Sequence, residues 1–324
     1  MNIFFTICNR TELPNAIALG STVKKYHPEA QMIIGWVDEA PVPSLPEDML
    51  RLSVKVVAIP NWATMYERYY DFELVAACRP WFAHYILQTN LDCSRLIFLA
   101  PTTFLYQAVP FESLPDADLL LTPHMTQPLP VGTELDDKRI LNIGMYHAGA
   151  WMLRRGTETE QLLIWWKLRT FDRAHFDLCQ GMCMDQLWLN FAPIWVRNTS
   201  RLSLPGWHLG LHSITQRDLT VANGAFQVNG APLISADFAG LPSYHPVWSD
   251  HERLLKHNRS FEQLYRQYVQ YLEQYKTYRI KNAPAFGQTP AIKGNRTMRK
   301  GMVSNLKKVL SQIDRYEIGQ GANS

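Results

Sequence analysis

The chain has 324 residues, of which 47% are hydrophobic and 12% aromatic, and its net charge is +3. This is a globular composition, long enough for one large domain or two small ones. Because the chain has no run of about 18 apolar residues, no membrane-spanning helix is expected. The five cysteines, an odd number in a long chain, indicate reduced thiols in a cytoplasmic protein rather than a disulfide scaffold.

Strand and helix patterns alternate over the first 125 residues. The opening MNIFFTICNR has no basic region and only a short apolar run, so it predicts a first strand rather than a signal peptide. Apolar runs predict strands, and apolar stripes at helical spacing predict helices. The predicted strands are 3–8, 32–37, 54–59, 96–99 and 119–122, and the predicted helices are 13–26, 64–70 and 73–88. Strands separated by helices indicate a parallel, doubly wound sheet.

The remaining residues are less regular. A strand is predicted at 145–153, helices are predicted at 158–170, 185–191 and 298–313, and several short strands are expected between 202 and 241. A long polar and aromatic helix is predicted at 249–278, starting at a Ser249-Asp250 cap. Residues 282–297 contain Pro, Gly and Asn, which is typical of a linker.

The positive charge is concentrated near the C-terminus. Residues 276–308 contain nine Lys or Arg and no Asp or Glu, whereas the rest of the chain has a balance of −6. A basic tail on an acidic body predicts contact with an anionic membrane or an acidic partner, and a merely solvated tail is the alternative. The acidic body and the lack of a basic, aromatic-interleaved motif argue against nucleic acid as a partner.

Several common catalytic motifs are missing. No Gly-rich phosphate loop, Walker sequence or G-x-S-x-G elbow occurs, so a classical dinucleotide or ATP site and an α/β-hydrolase are not expected. Cys179, Cys183, His208 and His212 have the types and spacing of zinc ligands. Pro and Gly break the histidine segment, however, so ordinary buried thiols and histidines are the expectation.

Two short segments can be interpreted in more than one way. Asp185 and Gln186 open a predicted helix, where a carboxylate can simply cap the free backbone N–H groups. The apolar strand in RLIFLAPTTFLYQ ends at Ala100-Pro101-Thr102. Ligands of open α/β sheets bind just beyond such strand ends, yet this segment has no charge.

The order of the segments resembles that of bacterial nucleotide-sugar glycosyltransferases of the GT-A fold. Together, four pieces cover residues 1–245 in the order of that family. They are FFTICNRTELPNAIALGSTVKKYHPEAQMIIGWVD; ACRPWFAHYIL with RLIFLAPTTFL; ADLLLTPHM, GMYHAGAWMLRR and MDQLWLN; and LPGWHLGLHSI with LISADFAG. The resemblance implies an α/β fold with a GT-A-like (Rossmann-like) mixed sheet flanked by helices and a C-terminal helical extension.

The resemblance also implies roles for individual residues. The catalytic pair would be Asp185 and Gln186, beside the reacting sugar. The positions that fall in the donor site are Thr6, Ile7, Asn9, Arg10, Arg79, Ala100, Pro101 and Thr102. The positions expected in the sugar or acceptor pocket are His147, Gly149, His208 and Asp237, with His147-Ala148-Gly149 on the family's Asn-x-Gly.

The chain departs from the family at the metal site. Ala100-Pro101-Thr102 falls on the Asp-Pro-Asp that normally holds Mg²⁺ or Mn²⁺, and Asp237 falls where a His usually helps. A hard cation needs several oxygen ligands, which Ala and Thr do not supply. The degenerate Asp-x-Asp motif therefore predicts no metal ligands and metal-independent chemistry, with Mg²⁺ or Mn²⁺ anchored by Asp237 through water as the alternative. Arg79, with Arg10 or Lys138-Arg139, would neutralise the diphosphate instead.

These observations predict an enzyme that transfers a sugar from a nucleotide-sugar donor, most simply a UDP-sugar, to a glycoconjugate or cell-envelope acceptor. The expected parts are a transferase domain at 1–245, a packed helix at 246–281 and a basic linker with a terminal helix at 282–324. The expected location is the cytoplasm, with the tail at the inner face of the membrane. The alternative is a catalytically inactive homologue that binds a glycan, nucleotide or protein, with Trp or His side chains filling the donor site.

Overall fold

The structure is a computed structural model of the chain. It describes residues 1–41, 44–130, 137–222, 224–241, 255, 258–280, 287 and 296–314, and within the last stretch the side chains of 301–313. The chain forms two compact units, Met1–Gln288 and Thr289–Ser324. The described part of the second unit is one helix.

Strands and helices alternate through the first unit. The strands are β1 (Asn2–Cys8), β2 (Gln31–Trp36), β3 (Leu50–Ser53), β4 (Arg95–Leu99), β5 (Thr103–Leu105), β6 (Leu119–Pro123), β7 (Tyr146–Leu153), β8 (Phe176–Asp177), β9 (Met182–Cys183), β10 (Thr199–Arg201), β11 (Leu209–Gly210), β12 (Leu219–Ala222), β13 (Ala225–Val228), β14 (Ala231–Pro232) and β15 (Ser235–Asp237). The helices are α1 (Leu13–Tyr26), α2 (Val54–Val57), α3 (Trp62–Arg68), α4 (Asp71–Thr89), α5 (Asp137–Ile143), α6 (Thr157–Thr170), α7 (Ala192–Trp195), α8 (Arg259–Leu272) and, in the second unit, α9 (Arg296–Asp314). Short 3-10 turns occupy Phe111–Ser113, Leu178–Gln180, Gln186–Phe191 and Glu273–Tyr278.

The main sheet has seven strands in the order β10-β6-β7-β4-β1-β2-β3. Its pairs are parallel except those of β7, which runs antiparallel to both β4 and β6. The expectation of an all-parallel sheet is therefore wrong at one strand. The predicted α/β class, a mixed sheet flanked by helices, is confirmed.

Both faces of the sheet are covered, which explains the continuous apolar runs of its strands. In β1, Phe5 and Ile7 pack on the side of α4 and α6. Phe4 and Cys8 pack on the opposite side, against α1. The successive side chains of a strand point to opposite faces, so a strand buried on both faces is apolar at every position.

The third predicted strand is misplaced. The structure has strand β3 at Leu50–Ser53, and the predicted strand at 54–59 begins with helix α2 instead. The hydroxyl of Ser53 accepts a hydrogen bond from the backbone N–H of Lys55 and so caps this turn. The strand that does form is half exposed and has no apolar run to mark it.

The first of the C-terminal helices is shorter than the predicted helix at 249–278, because Asn258 lies outside it and a 3-10 turn replaces its end at Glu273–Tyr278. The described helix α8 begins at Arg259, where the side chain of Asn258 accepts from the N–H of Phe261. The predicted Ser249-Asp250 cap and most of the predicted linker lie outside the described residues. The predicted terminal helix is confirmed as α9. Among the described residues, no helix is both long and apolar enough to cross a membrane.

A small three-stranded sheet, β11-β15-β5, lies just past the end of β4. Strand β15 pairs antiparallel with β5, so Asp237 lies opposite Thr103, and parallel with β11, so Asp237 also lies opposite Gly210. Helix α8 packs on the same region, and Asn15 donates a hydrogen bond to the Tyr268 hydroxyl over 2.6 Å. This sheet brings the segment after β4 together with residues from the last third of the unit.

Candidate active site at one edge of the sheet

The predicted site residues meet at the edge where the parallel strands end. Strands β1, β2 and β4 finish here, and β7 starts here because Ala150 pairs with Leu99 in the antiparallel register. This is the edge at which open α/β sheets bind ligands. Residues from distant parts of the chain therefore face one volume.

An ion pair between Arg79 and Asp185 lies at the centre of this edge. Arg79, on helix α4, donates from one terminal nitrogen to both carboxylate oxygens of Asp185, over 3.0 and 3.2 Å. The Asp185 side chain is fully buried and that of Arg79 is 15% exposed. Burial raises the pKa of Asp185 to about 6, and the Arg79 charge limits that rise. The pKa of this carboxylate is thus close to that of a general base that works near neutral pH.

Gln186 fixes the neighbouring turn. Its carbonyl oxygen accepts a hydrogen bond from the backbone N–H of Ala148, and its amide nitrogen donates to the carbonyl of Ile143. These bonds, of 3.0 and 2.7 Å, tie Asp185 to the start of β7, where His147 and Gly149 lie. The residue before Asp185, Met184, has a φ of +50°, a conformation that side chains rarely adopt and that often marks functional sites.

The uncharged segment after β4 is bound to Asp237. The hydroxyl of Thr102 donates to Asp237 Oδ1 over 2.6 Å, and the N–H of Ala239 donates to the same oxygen. The N–H of Ala100 donates to the carbonyl of Gly149 over 2.7 Å. Ala100, Pro101 and Thr102 are buried, so the edge has a neutral segment with one carboxylate beside it.

The predicted donor residues at the end of β1 are buried or bonded to neighbouring residues. Thr6 and Ile7 are fully buried in the strand, and Ile7 belongs to the core. Asn9 accepts from the N–H of Thr11 through its side-chain oxygen. Arg10 makes a two-point pair with Asp38, with distances of 2.7 and 2.6 Å. The pKa of Asp38 is lowered because hydrogen bonds from Arg10 outweigh the effect of burial.

A cluster of histidines lies beside Asp237. His147, His208 and His212 are buried and close enough to share one ion, and His124 packs edge-on against His147. Burial lowers the pKa of His124 to about 4 and that of His208 to about 3, and it holds those of His147 and His212 well below their usual range. All four imidazoles are therefore neutral at pH 7.

The sequence pattern of two Cys and two His does not describe this cluster. The two histidines do meet, although Pro and Gly break their segment, but their partner is His147 rather than a cysteine. Cys179 is exposed and Cys183 is buried in an apolar cluster. Among the described residues, all five thiols are free, and none belongs to the group that could share an ion.

Two further acidic residues belong to this edge, and sequence reasoning missed both. Glu12 is half-buried near Arg79, and burial raises its pKa to about 7 although the Arg79 charge opposes the rise. Asp38 follows β2 and holds Arg10. The position of Asp38 just after a strand was a usable signal. No such signal marked Glu12, which lies at the N-cap position just before helix α1.

Similarity to known proteins is found among solved structures. No protein-family profile matches the sequence, and no curated protein matches it. The chain is similar to a solved galactosyltransferase, LgtC, determined in complex with donor and acceptor sugar analogs, at a TM-score of 0.45 and 11% identity, over 88% of this chain and 98% of that one.

Proposed function

We propose that the chain transfers a sugar from a nucleotide-sugar donor to a glycan-type acceptor. The observation that carries this proposal is the buried Arg79–Asp185 pair, linked through Gln186 to the start of β7 at the ligand-binding edge of the sheet. A carboxylate with a raised pKa beside a fixed cation suits a reaction that deprotonates an acceptor and releases a diphosphate. The donor class, most simply a UDP-sugar, comes from the resemblance described above.

Each residue of the pair has a separate role in this proposal. Asp185 acts as a base on the acceptor or stabilises positive charge that develops at the anomeric carbon. Arg79 neutralises the leaving diphosphate, as a charged side chain that is partly exposed at this edge. Gln186 positions Asp185 against the turn at Gly149.

The proposed chemistry does not use an Asp-x-Asp-bound ion. The Thr102 hydroxyl is engaged with Asp237, and Ala100 has no ligand atom on its side chain. Cationic side chains would stabilise the leaving group instead, with Arg10 or Lys138-Arg139 as the further candidates. Lys138 and Arg139 lie on α5, whose last residue, Ile143, accepts from Gln186.

Nucleotide binding is the first test. We expect UDP at about 100 times its dissociation constant to raise the unfolding midpoint by several degrees, since such binding adds roughly 2.7 kcal/mol. The shift should occur without added divalent cation, and GDP, dTDP and CMP should give smaller shifts. The measurement is thermal unfolding by fluorescence, repeated with Mn²⁺ and with Arg79→Gln, which should reduce the shift.

Two other results would count against parts of the proposal. A shift that occurs only with Mn²⁺ would mean that a hard cation is bound despite the missing carboxylates. No shift with any of the four nucleotides would favour an inactive binding protein. Turnover of a donor sugar would exclude it.

The basic C-terminal helix suits contact with an anionic membrane. In α9, an exposed apolar stripe runs along one side at helical spacing, formed by Met302, Leu306, Val309, Leu310 and Ile313. Lys307 and Lys308 lie between its members. Such a helix binds at a membrane interface through its apolar face and through attraction to acidic lipids.

We therefore expect the full-length chain to sediment with vesicles that contain acidic lipids at low salt. Attraction between exposed charges is screened over about 10 Å at 0.1 M salt, so the bound fraction should fall as salt is added. Changing Lys307 and Lys308 to Glu should abolish sedimentation, and neutral vesicles serve as the control. A chain that stays in the supernatant at low salt would exclude this role for the helix.

A further inference from the structure

Three imidazoles converge at the edge of the sheet. One ring nitrogen from each of His147, His208 and His212 lies within 4.8 Å of the others. His147 Nδ1 and His208 Nε2 are 3.1 Å apart, and the ring centroids of His147 and His212 are 4.2 Å apart. Two nitrogens bound to one tetrahedral ion at 2.0–2.1 Å are separated by about 3.3 Å. The first pair already has this spacing.

The tautomer of His147 suits a ligand. Its Nδ1 faces the backbone N–H of Gly149 at 3.0 Å, and an N–H can only donate, so Nδ1 carries a lone pair. The same lone pair faces Nε2 of His208. The proton of His147 is thus on Nε2, which faces the Asp237 carboxylate at 3.8 Å. A carboxylate behind the second nitrogen is the usual support for a metal-bound histidine.

Asp237 brings negative charge to the same point. Its Oδ1 accepts from Thr102 and Ala239, whereas its Oδ2 lies 3.6 Å from His208 Nε2. The hydrogen bonds on Oδ1 hold the carboxylate in place. Three imidazoles thus converge on one point, and one carboxylate faces two of them, which suits a divalent ion.

The backbone is arranged so that the rings can approach. A Cβ on Gly149 would lie 2.5 Å from His147 Cε1 and 3.3 Å from His208 Nε2, and a Cβ on Gly210 would lie 2.9 Å from His212 Nδ1. His208 itself has a φ of +49°, in the left-handed region. A residue held in a conformation that side chains rarely adopt often marks a functional site.

We propose that His147, His208 and His212 bind one transition-metal ion of the Zn²⁺ class, with Asp237 as the supporting carboxylate behind His147. Nitrogen-rich sets suit Zn²⁺, Co²⁺, Ni²⁺ or Cu²⁺, whereas Mg²⁺ and Ca²⁺ prefer oxygen ligands. The site differs in ligands and in metal class from the Asp-x-Asp arrangement, and it departs from the expectation of no metal ligands. It does not depend on the proposed transferase activity, so its test uses binding alone.

The test is Co²⁺ and Zn²⁺ binding to the full-length, tag-free chain after chelation and dialysis. We expect one Co²⁺ per chain, visible through the absorption bands of a four-coordinate ion, and displacement of that Co²⁺ by one Zn²⁺. Mg²⁺ should not compete. The unfolding midpoint of the chelated chain should rise when Zn²⁺ is added, which shows binding to the folded state.

Substitutions identify the ligands. His212→Ala and His208→Ala should each weaken Zn²⁺ binding by about 100-fold or more, because each removes a direct ligand and loss of a supporting residue alone costs about 10–100-fold. Asp237→Asn should weaken binding by at least about 10-fold. The matched control is His175→Ala, which removes a histidine outside the cluster, and it should bind like the parent chain. Circular dichroism shows whether each variant is folded.

Three results would overturn the proposal. One is the absence of stoichiometric Co²⁺ or Zn²⁺ binding to the parent chain. Another is full affinity in a folded His212→Ala variant. The third is loss of binding in a Cys179→Ser, Cys183→Ser variant, which would indicate the ligand set that the sequence pattern suggested. None of these results bears on whether the chain binds a nucleotide or transfers a sugar.

Discussion

Replacing Asp185 by Asn should lower the rate of sugar transfer by about 10²–10⁴-fold, the usual contribution of a general base. The amide has nearly the shape of the carboxylate but can neither take a proton nor stabilise positive charge. The measurement is donor turnover at saturating donor and acceptor, with nucleotide binding followed separately by thermal shift. Transfer at an undiminished rate would exclude Asp185 as the catalytic carboxylate.

Folding must be checked alongside activity because the same change breaks a buried ion pair. Removing one partner of a buried pair typically costs about 3–5 kcal/mol, since the other charge remains desolvated. Arg79 is partly exposed, so a smaller cost is expected here. The matched control is Glu158→Gln, which removes the surface pair with Arg197. It should change the stability little, because the pair is screened by solvent, and leave transfer unchanged.

The pH dependence gives a second readout of Asp185. Its pKa of about 6 lies above the ordinary value of 3.8, so the folded state binds the proton more tightly than the unfolded state. The stabilisation by this proton is complete below the unfolded pKa and is lost as the pH rises through about 6. If the ionised form is the active one, transfer should instead increase through the same range. Asp185→Asn should remove this contribution from the stability profile.

Local patterns predicted most elements of the main sheet, because its strands are buried on both faces and its helices are long. The direction of β7 could not be predicted from them, since an apolar strand has the same pattern whether it runs parallel or antiparallel to its neighbours. The strand at Leu50–Ser53 was missed because one edge of the sheet is half exposed and its apolar signal is weak. In both cases the deciding contacts are between strands.

The site was only partly predictable for a similar reason. The resemblance brought Asp185, Gln186, Thr102 and Asp237 into consideration, and the structure places them at one edge of the sheet. It also put His147 and His208 in one pocket, but it did not indicate that these residues, 61 positions apart, have ring nitrogens in contact. That contact depends on the register of the small sheet and on the turn at Gly206, which local periodicity does not determine.

The turn at Gly206 should tolerate no side chain, and Gly206→Ala should lower the free energy of unfolding by about 3 kcal/mol or more. A Cβ at this position would lie 2.0 Å from the carbonyl oxygen of Pro232 and 3.0 Å from the backbone nitrogen of Ile234. Both are main-chain atoms, and the Gly206 carbonyl itself accepts hydrogen bonds from Ile234 and Ser235. The clash cannot be relieved by rotating a side chain. Urea unfolding gives the change, with an unaltered slope if the unfolded states match.

Gly156→Ala provides the control, because it adds the same atom where the nearest neighbour is Thr159 Oγ1 at an ordinary 3.5 Å. Its cost should stay below about 1 kcal/mol, as expected for a change at a helix N-cap. The Gly206 variant should also weaken Zn²⁺ binding, since the next residues position His208, whose N–H donates to the Ser235 hydroxyl over 2.8 Å. If the two variants unfold at the same urea concentration, the close approach of Gly206 to Pro232 does not exist in solution, and the placement of His208 beside His147 loses its structural support.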